Sequence, residues 1–560
     1  MTWDNGWTLY PARVSLNDGA MEIHTWSTDA EIRMDHAEGD LRILPLLNKR
    51  AVIENLHVGT ASVIVNRQKP DGERPAPSKP YPGMIIDVRD AVVDSVDRFV
   101  FNRFSVTGGD NRARGSATIQ FRGDKVIEVV DAEWLGAIVG VDNVPLPETV
   151  DITASGGMSA FNPRHDRGLQ LAEKITGRVQ LKGEVGTLVP LELFFPGMDW
   201  IERIDGDGSV AVDAIIEKGR LQQGTVIDID ANNLLLEFLG YAARGSGRVD
   251  SAVSNTDDGR SGEIRIIFDE FSLARRGIEM PLVRGEDLLL RTRSSELGLL
   301  RGLSDLEVTL ELPESEVPDV TVLNEFLPPS LNVAIDRGSA RMNAMITVAG
   351  PEREASASLN IRGEGLAGHL RDTAFQVDLS LDSEALSEQL DDFQMDLGGT
   401  RFRLFNGIFD NEDVEVDDRW WMNIDIPAGT ADLSKPFAID ADMTLAMKDT
   451  RAIIALFAAI KEWISKFDGF LTVQDVAGSA SVSIADKSLR VQDLSVRGDR
   501  LDLMAEVSAG DGRNDALVWG KLGVFSGGFE RLDGETQWKL VNGRQWFDEQ
   551  KQDHWTEETR

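Results

Sequence analysis

Apolar and polar residues alternate along much of this chain, most clearly at residues 478–510. A two-residue period is that of a β-strand with one apolar and one polar face. Polar links at 485–487 and 497–500 predict chain reversals between neighbouring strands. A one-residue phase shift at 492–493 predicts a bulge or a tight bend. The alternating apolar residues of this stretch include Val482, Ile484, Leu489, Val491, Leu501 and Leu503.

The same alternation recurs from residue 84 onward. In the stretch 331–348 it changes phase at Arg337-Gly338, which predicts two strands joined by a turn. Two less regular apolar stretches, 232–239 and 384–391, predict short helices. The apolar residues that stand out in these central strands are Val333, Ile335, Met342, Ile346, Val377 and Leu379.

This pattern predicts a mainly β fold. Roughly twenty-five strand-like runs can be counted, and open twisted sheets rarely exceed about ten strands without curling or splitting. We therefore expect a long antiparallel meander curled into an elongated open groove, with a few short helices. The apolar residues named above would line the groove, and an apolar groove open to water favours an apolar ligand. In the alternative, the strands pack on themselves as sandwiches or a barrel.

One long amphipathic helix is predicted at residues 450–467. Asp449 or Thr450 is suited to begin it, and Gly469 is suited to end it. We interpret the helix as a lid over the groove, and the alternatives are an ordinary packing helix or a helix lying on a membrane surface. Apolar residues three and four apart form its stripe: Ile453, Phe457, Ile460, Trp463, Ile464 and Phe467.

The chain divides by pattern into five segments. Residues 1–68 predict an N-terminal β-module with one short helix, and 69–83 form a proline-rich loop. Residues 84–430 predict the central part of the groove. Residues 431–542 predict C-terminal groove repeats that include the helix 450–467, and 543–560 a polar tail.

Charge and composition exclude several classes of function. The 560 residues carry a net charge of −36, from 94 acidic and 58 basic residues, so nucleic acid is not expected as a partner. With 0 cysteines the chain has neither disulfides nor thiolate chemistry. Its longest apolar helical run falls well short of the roughly 20 residues that span a bilayer, and residues 1–10 do not resemble a signal peptide. We expect either a cytoplasmic protein or a targeting or anchoring segment upstream.

Few residues suggest chemistry. The histidines at 24, 36, 57, 165, 369 and 554 are not at metal-ligand spacing. The segment 363–368 matches a dinucleotide fingerprint, but a strand follows too soon for the required helix, which favours a hairpin loop. Acidic residues at 205–208 and 228–233 lack the spacing of a calcium loop and favour solvated turns. We therefore predict neither an enzyme nor a cofactor site.

Two stretches resemble a known family. Residues 41–67, LRILPLLNKRAVIENLHVGTASVIVNR, with the proline-rich loop after them, resemble the N-terminal module of the bacterial AsmA-like family of repeating β-groove proteins. Residues 488–503, SLRVQDLSVRGDRLDL, are similar to that family's closing repeats. The resemblance implies a periplasmic protein of Gram-negative bacteria, held in the inner membrane by a helix upstream of this sequence. It also implies bridge-type phospholipid transfer that supports outer-membrane biogenesis, without catalytic residues.

The sequence therefore predicts a groove that binds phospholipid or another acyl-chain lipid. Burial of each methylene gains about 0.8 kcal/mol, so a sixteen-carbon chain gains on the order of 12 kcal/mol before ordering costs. The inner membrane is the other expected partner, reached through the upstream anchor, and partner membrane proteins are not specified. The alternative is a non-catalytic structural or adhesion protein whose strands pack on themselves.

Overall fold

A computed structural model gives the architecture of the chain. It describes residues 5–9, 12–24, 28–67, 83–101, 104–120, 123–141, 144–162, 166, 170, 173–194, 200–256, 259–278, 280–294, 306–326, 333–349, 354–370, 373–387, 394–410, 418–432, 438–450, 473–485, 488–510 and 513–555. Strands dominate these residues, so the predicted mainly β fold is confirmed. The helix predicted at 450–467 lies outside the described residues beyond Thr450, and so do the six apolar residues of its stripe.

The strands are numbered β1 to β31 in chain order. The first seventeen are Asn5–Leu9, Arg13–His24, Thr28–Arg42, Arg50–Arg67, Ile85–Phe101, Phe104–Thr107, Asp110–Gln120, Lys125–Val141, Val144–Phe161, Ile175–Val185, Ile201–Asp205, Gly208–Glu217, Arg220–Leu221, Val226–Phe238, Tyr241–Thr256, Gly259–Arg275 and Val283–Ser294. The others, from β18, are Glu307–Val317, Val333–Ala349, Glu354–Leu370, Thr373–Ser387, Gln394–Asp396, Thr400–Phe409, Trp420–Asp432, Ala438–Asp449, Gln474–Ala485, Ser488–Arg497, Leu501–Gly510, Arg513–Leu522, Phe525–Leu532 and Glu535–Lys539.

Helices are short in the described part of the chain. Helix α1 is Ile43–Leu46, between β3 and β4, and helix α2 is Gly543–His554. Two 3-10 helices, Val189–Phe194 and Val320–Phe326, each follow a strand. No described helix has the length and apolar character needed to span a bilayer.

The chain forms two compact units. The first comprises Met1–Phe271 with Leu289–Glu307, and the second comprises Ser272–Leu288 with Val308–Arg560. The boundaries between them fall inside β16, β17 and β18.

In the first unit the strands pair mostly with their neighbours in sequence. Strands β1 to β4 form an antiparallel meander. Strand β4 then pairs parallel with β5, and antiparallel pairing resumes through β7, β8, β9, β10, β12, β14 and β15. Parallel neighbours need a long connection, and the proline-rich stretch predicted at 69–83 separates β4 from β5.

In the second unit the pairing is antiparallel from β19 through β20, β21, β23, β24 and onward to β31. The short strand β22 pairs with β21 on one side and β24 on the other. The predicted antiparallel meander is therefore confirmed, and its pleat places alternate side chains on opposite faces.

Two turns predicted within β19 and β20 and two predicted helices were wrong. The stretch 331–348 does not turn at Arg337-Gly338, because β19 continues through irregular pairing there and pairs with β20 along its whole length. The segment 363–368 is not a hairpin loop but a bulged part of β20, where Gly365 has a φ of 57°. The helix predicted at 232–239 is strand β14, and of the one predicted at 384–391 the described residues 384–387 belong to β21.

A helix forms where the sequence predicted a polar tail. Helix α2 lies in the segment predicted as that tail, 543–560, and packs against β29 and β30. Phe547 is fully buried and Trp555 nearly so, against Leu517 and Trp519. The Arg544 guanidinium lies 4.9 Å from the centre of the Trp519 ring. These apolar contacts hold a helix whose other residues are mainly polar.

Candidate functional site

One face of the second unit's sheet carries a continuous series of apolar side chains. Residues directly opposite each other in an antiparallel pair lie on the same face, so the register of successive strands identifies its members. We call this surface the apolar face. Its longest row crosses nine strands from β19 to β28: Met342, Ile361, Leu381, Phe402, Ile424, Leu445, Gly478, Val496 and Leu503.

Two more rows extend the apolar face at its C-terminal end. They lie on the same side of β26 as Gly478, at even-numbered positions. The first joins Ala441, Val482, Val491, Val507 and Ala516, and the second joins Ile439, Ile484, Leu489 and Ala509.

The structure places the residues predicted for a groove on this one face. Val482, Ile484, Leu489, Val491, Leu503 and Met342 are in the rows above, and Leu501 pairs with Leu522 at the end of β28. Ile346 lies opposite Ala357, and Val333 lies opposite Leu370. Ile335, Val377 and Leu379 pack in a cluster with Met342.

The apolar face is only partly shielded from solvent. Ile335 and Val377 are buried, whereas the other residues predicted for the groove are half-buried. Two apolar clusters adjoin along the face, because Phe375 and Leu404 pack against both. Side chains on one sheet therefore shield their neighbours in part and leave a strip of accessible apolar surface.

The reverse face of the same strands is mainly polar, except at β28, where Met504 packs with Trp519 of β29 against helix α2. Ion pairs and hydrogen bonds run between neighbouring strands there, including Arg362 to Asp382 at 2.8 Å and the Ser481 hydroxyl to Asp442 at 2.6 Å. Arg341 pairs with Glu314 at 3.0 Å. The pleat thus places most charged side chains on the face opposite the apolar rows.

Bulges interrupt the strands along the apolar face. They occur in β20 at 363–366, in β23 at 404–407 and in β27 at 491–494. Asp378 accepts hydrogen bonds from the Gly365 N–H at 2.7 Å and from the Asn406 amide at 2.6 Å, so one carboxylate holds two of them. A bulge bends its strand and increases the local twist, which is the means by which a sheet acquires curvature.

Sequence reasoning had left out part of the face. Phe402, Leu404, Met422 and Ile424 belong to it, and their alternation within β23 and β24 was a readable signal. Leu366 is also buried in this surface, but the bulge before it changes the phase and hides it from a simple period-two search.

Metal and acid–base chemistry find little support elsewhere. Among the described residues, no group of three or more acidic or histidine side chains is arranged to hold a metal ion. Three described histidines contact polar partners on adjacent strands: His36 with Asn17, His57 with Asp94 and His369 with Asp336.

The acidic segments at 205–208 and 228–233 have structural positions. Burial raises the pKa of Asp205, but hydrogen bonds from the Gly206 N–H, Arg203 and the Thr187 hydroxyl outweigh it and hold that pKa below its usual value. Residues 206–207 link β11 to β12, whereas 228–233 lie within β14, so the solvated turn predicted at 228–233 was wrong. The Asp205 carboxylate supports the link between β11 and β12.

Comparison with known proteins adds no relative. No protein-family model matches the chain, and no curated protein or solved structure matches it. The class is therefore defined by the fold: a mainly β protein whose second unit carries an antiparallel sheet with one apolar and one polar face.

Proposed function

We propose that the apolar face of the second unit binds the acyl chains of phospholipid or a similar lipid. The observation that carries the proposal is the row from Met342 to Leu503 across nine strands, in which only Gly478 lacks an apolar side chain and most members are half-buried. An accessible apolar strip of this extent is unfavourable in water and becomes favourable when a hydrocarbon chain covers it.

The free energy gained by burying hydrocarbon is large enough for an acyl chain to bind this surface. About 0.8 kcal/mol accrues for each methylene removed from water, so one long chain gains on the order of 10 kcal/mol before the costs of ordering. The contact needs no directional chemistry, which agrees with a surface built of Leu, Ile, Val, Met and Phe. Specific headgroup contacts are not required for such binding.

We further propose that the chain acts as an AsmA-like protein that transfers phospholipid in the periplasm and so supports outer-membrane biogenesis. Supporting this are the resemblance of residues 41–67 and 488–503 to that family and the mainly β, antiparallel architecture. In this proposal the inner membrane is reached through a segment upstream of residue 1. A row of apolar side chains running from strand to strand gives a lipid chain a path along the sheet.

The rival is a structural or adhesion protein whose strands pack on themselves. Ile335 and Val377 are buried, so protein already covers their side chains. At these two residues the structural or adhesion function is favoured. The half-buried residues at the C-terminal end, such as Val482 and Val491, favour the lipid proposal instead.

Mass spectrometry of solvent extracts separates the two functions. We expect protein purified without detergent to carry phospholipid at a level comparable to the protein itself, and protein stripped of lipid to take up a fluorescent phospholipid. A soluble acidic β-protein purified in the same way is the control. Absence of both native lipid and uptake from folded protein would overturn the lipid proposal and favour strands that pack on themselves.

A further inference from the structure

A cluster of large aliphatic side chains projects from the first unit at the connection between β3 and β4. Ile43 is 50% exposed, Leu44 78%, Leu46 36% and Leu47 82%. Helix α1, which carries three of them, has no buried residue. We call Ile43, Leu44, Leu46 and Leu47 the apolar turn. Aliphatic residues grouped this way mark a contact surface, whereas isolated ones are ordinary.

The same connection is locally basic. Residues 41–50 contain Arg42, Lys49 and Arg50 and no acidic residue, in a chain whose net charge is −36. Arg42 and Arg50 extend to carboxylates on the neighbouring strands, Glu54 at 2.6 Å and Asp87 at 2.7 Å. Their partners lie on the sheet, so the turn itself presents apolar side chains with Asn48 and Lys49 and has no acidic side chain.

The backbone fixes Lys49 beside the apolar turn. Its N–H donates to the Leu46 carbonyl at 2.9 Å, and its φ of 58° ends the helix in the left-handed conformation. Its carbonyl accepts the N–H of Ile85 at 2.9 Å, which brings the start of β5 alongside. Met84, at 41% exposed, therefore extends the apolar surface next to an exposed lysine.

We propose that the apolar turn inserts into the surface of an anionic phospholipid bilayer. Aliphatic side chains with basic residues at their border are the composition of segments that lie at the membrane interface. The aliphatic groups enter the acyl boundary, and Lys49 meets the negative headgroups. The remainder of this acidic protein is repelled by such a surface, so contact is confined to the turn. The apolar turn shares no residue with the apolar face. Binding of the turn to a bilayer therefore does not depend on lipid binding by that face.

A single cysteine label tests the insertion directly. Because the chain contains 0 cysteines, Leu47→Cys gives one site for an environment-sensitive fluorophore. We expect its emission to shift to the blue and rise severalfold on vesicles of phosphatidylcholine mixed with phosphatidylglycerol, and much less on phosphatidylcholine alone. The matched control is Val226→Cys, at an apolar position that is 50% exposed and lies opposite Asp213, whose label should not respond. A Leu47 label that is unchanged on anionic vesicles, or one that responds no more than the Val226 label, overturns the proposal.

Vesicle sedimentation gives a second measurement. Leu44→Asp with Leu47→Asp should weaken binding to anionic vesicles by about tenfold or more, because the inserted groups become charged. Lys49→Glu should weaken it by roughly tenfold at low salt and by less at high salt, because the electrostatic part is screened. Exposed positions change folding little, so circular dichroism should match the parent protein. Binding of all these variants equal to the parent excludes the turn as the membrane contact. The lipid content of the apolar face should be the same in every variant, so this test fails or succeeds independently of the proposed lipid binding.

Discussion

Phospholipid binding should fall by at least about tenfold when Val482 is replaced by Glu, since each factor of ten needs only about 1.4 kcal/mol. Val482 lies in the middle of an apolar row, opposite Ala441 on one side and Val491 on the other. Among the described residues of that face, a carboxylate there has no positive neighbour on the paired strands, and covering it with an acyl chain removes it from water without a compensating bond. The measurement is uptake of fluorescent phospholipid by protein stripped of its own lipid.

The neighbouring residue provides a matched control. Ser483 is next to Val482 in β26 but on the opposite face, where it lies across from Arg490 and Asp440. Ser483→Glu adds the same carboxylate to the same strand, with an arginine beside it. Lipid uptake by this variant should remain within about twofold of the parent, as expected for a surface substitution away from the ligand.

Protein stability must be checked before uptake is compared. If Val482→Glu lowers the unfolding temperature strongly, Val482→Asn offers a polar but uncharged side chain at the same place. Equal lipid uptake by Val482→Asn and Ser483→Glu, both folded, would show that the apolar face does not contact the lipid.

Sequence alone predicts the part of the apolar face where the direction of each side chain follows from alternation along the strand. Between 478 and 510, alternation alone assigns Val482, Leu489 and Leu503 to one side, and the structure agrees. The predicted bulge at 492–493 is confirmed as well: the pairing shifts there on both sides of β27, and Asp493 has a φ of 53°. Side-chain direction repeats every two residues whatever the surroundings, so these features need no tertiary information.

Prediction from sequence failed where a bulge changes the apolar alternation in the same way as a turn or a helix does. A phase change at Arg337-Gly338 looks the same in sequence whether the chain reverses or merely gains a residue, and here β19 continues. In β14 the pairing shifts between Ala231 and Leu234, so apolar residues become consecutive and resemble a helix. Which local structure forms depends in each case on the partner strand. A short stretch of sequence does not contain that strand.

Helix α2 was missed for a related reason. Phe547 is its buried apolar residue, the adjacent Trp546 is half-buried, and Trp555 comes only after the helix ends, so no clear stripe marks a helix. Its start also lacks a side-chain cap, because Asn542 takes the left-handed conformation and forms no capping bond. Contacts with β29 and β30 stabilise it, and those contacts are absent from a local pattern.

A buried ion pair fastens helix α2 to the bulge of β27. The Lys551 ammonium contacts Glu506, whose side chain is 1% exposed, and lies 2.5 Å from the Asp493 carboxylate. Glu506 also accepts the N–H of Asp493, at 3.1 Å, so the same carboxylate holds the bulge and the helix. Burial raises the pKa of Glu506, and Lys551 opposes that rise. Burial lowers the pKa of Lys551, but Asp493 and Glu506 outweigh it and raise that pKa above its usual value.

Removing the lysine should therefore loosen the helix in a pH-dependent way. Lys551→Met should cost about 2 kcal/mol at pH 8, less than the roughly 3–5 kcal/mol of a fully buried pair, because the Lys551 side chain is 27% exposed. Without its cation Glu506 has a still higher pKa, and the folded state then binds a proton more readily than the unfolded state. Stability lost to the variant should thus be recovered in part as the pH falls toward about 5, through the window between the ordinary and the raised pKa of Glu506.

Hydrogen exchange of a peptide covering 543–555 measures this opening directly, after correction for the intrinsic rate at each pH. Lys521→Met is the control, because this exposed lysine lies on β29 and its loss should change protection by less than about 0.5 kcal/mol. Glu506→Gln combined with Lys551→Met leaves no buried charge and should remove most of the pH dependence. If Lys551→Met lost no protection at either pH, apolar packing of Phe547 and Trp555 would hold the helix and the ion pair would contribute nothing. An equal loss at pH 5 and at pH 8 would show that the lysine stabilises the helix but that Glu506 does not titrate as expected.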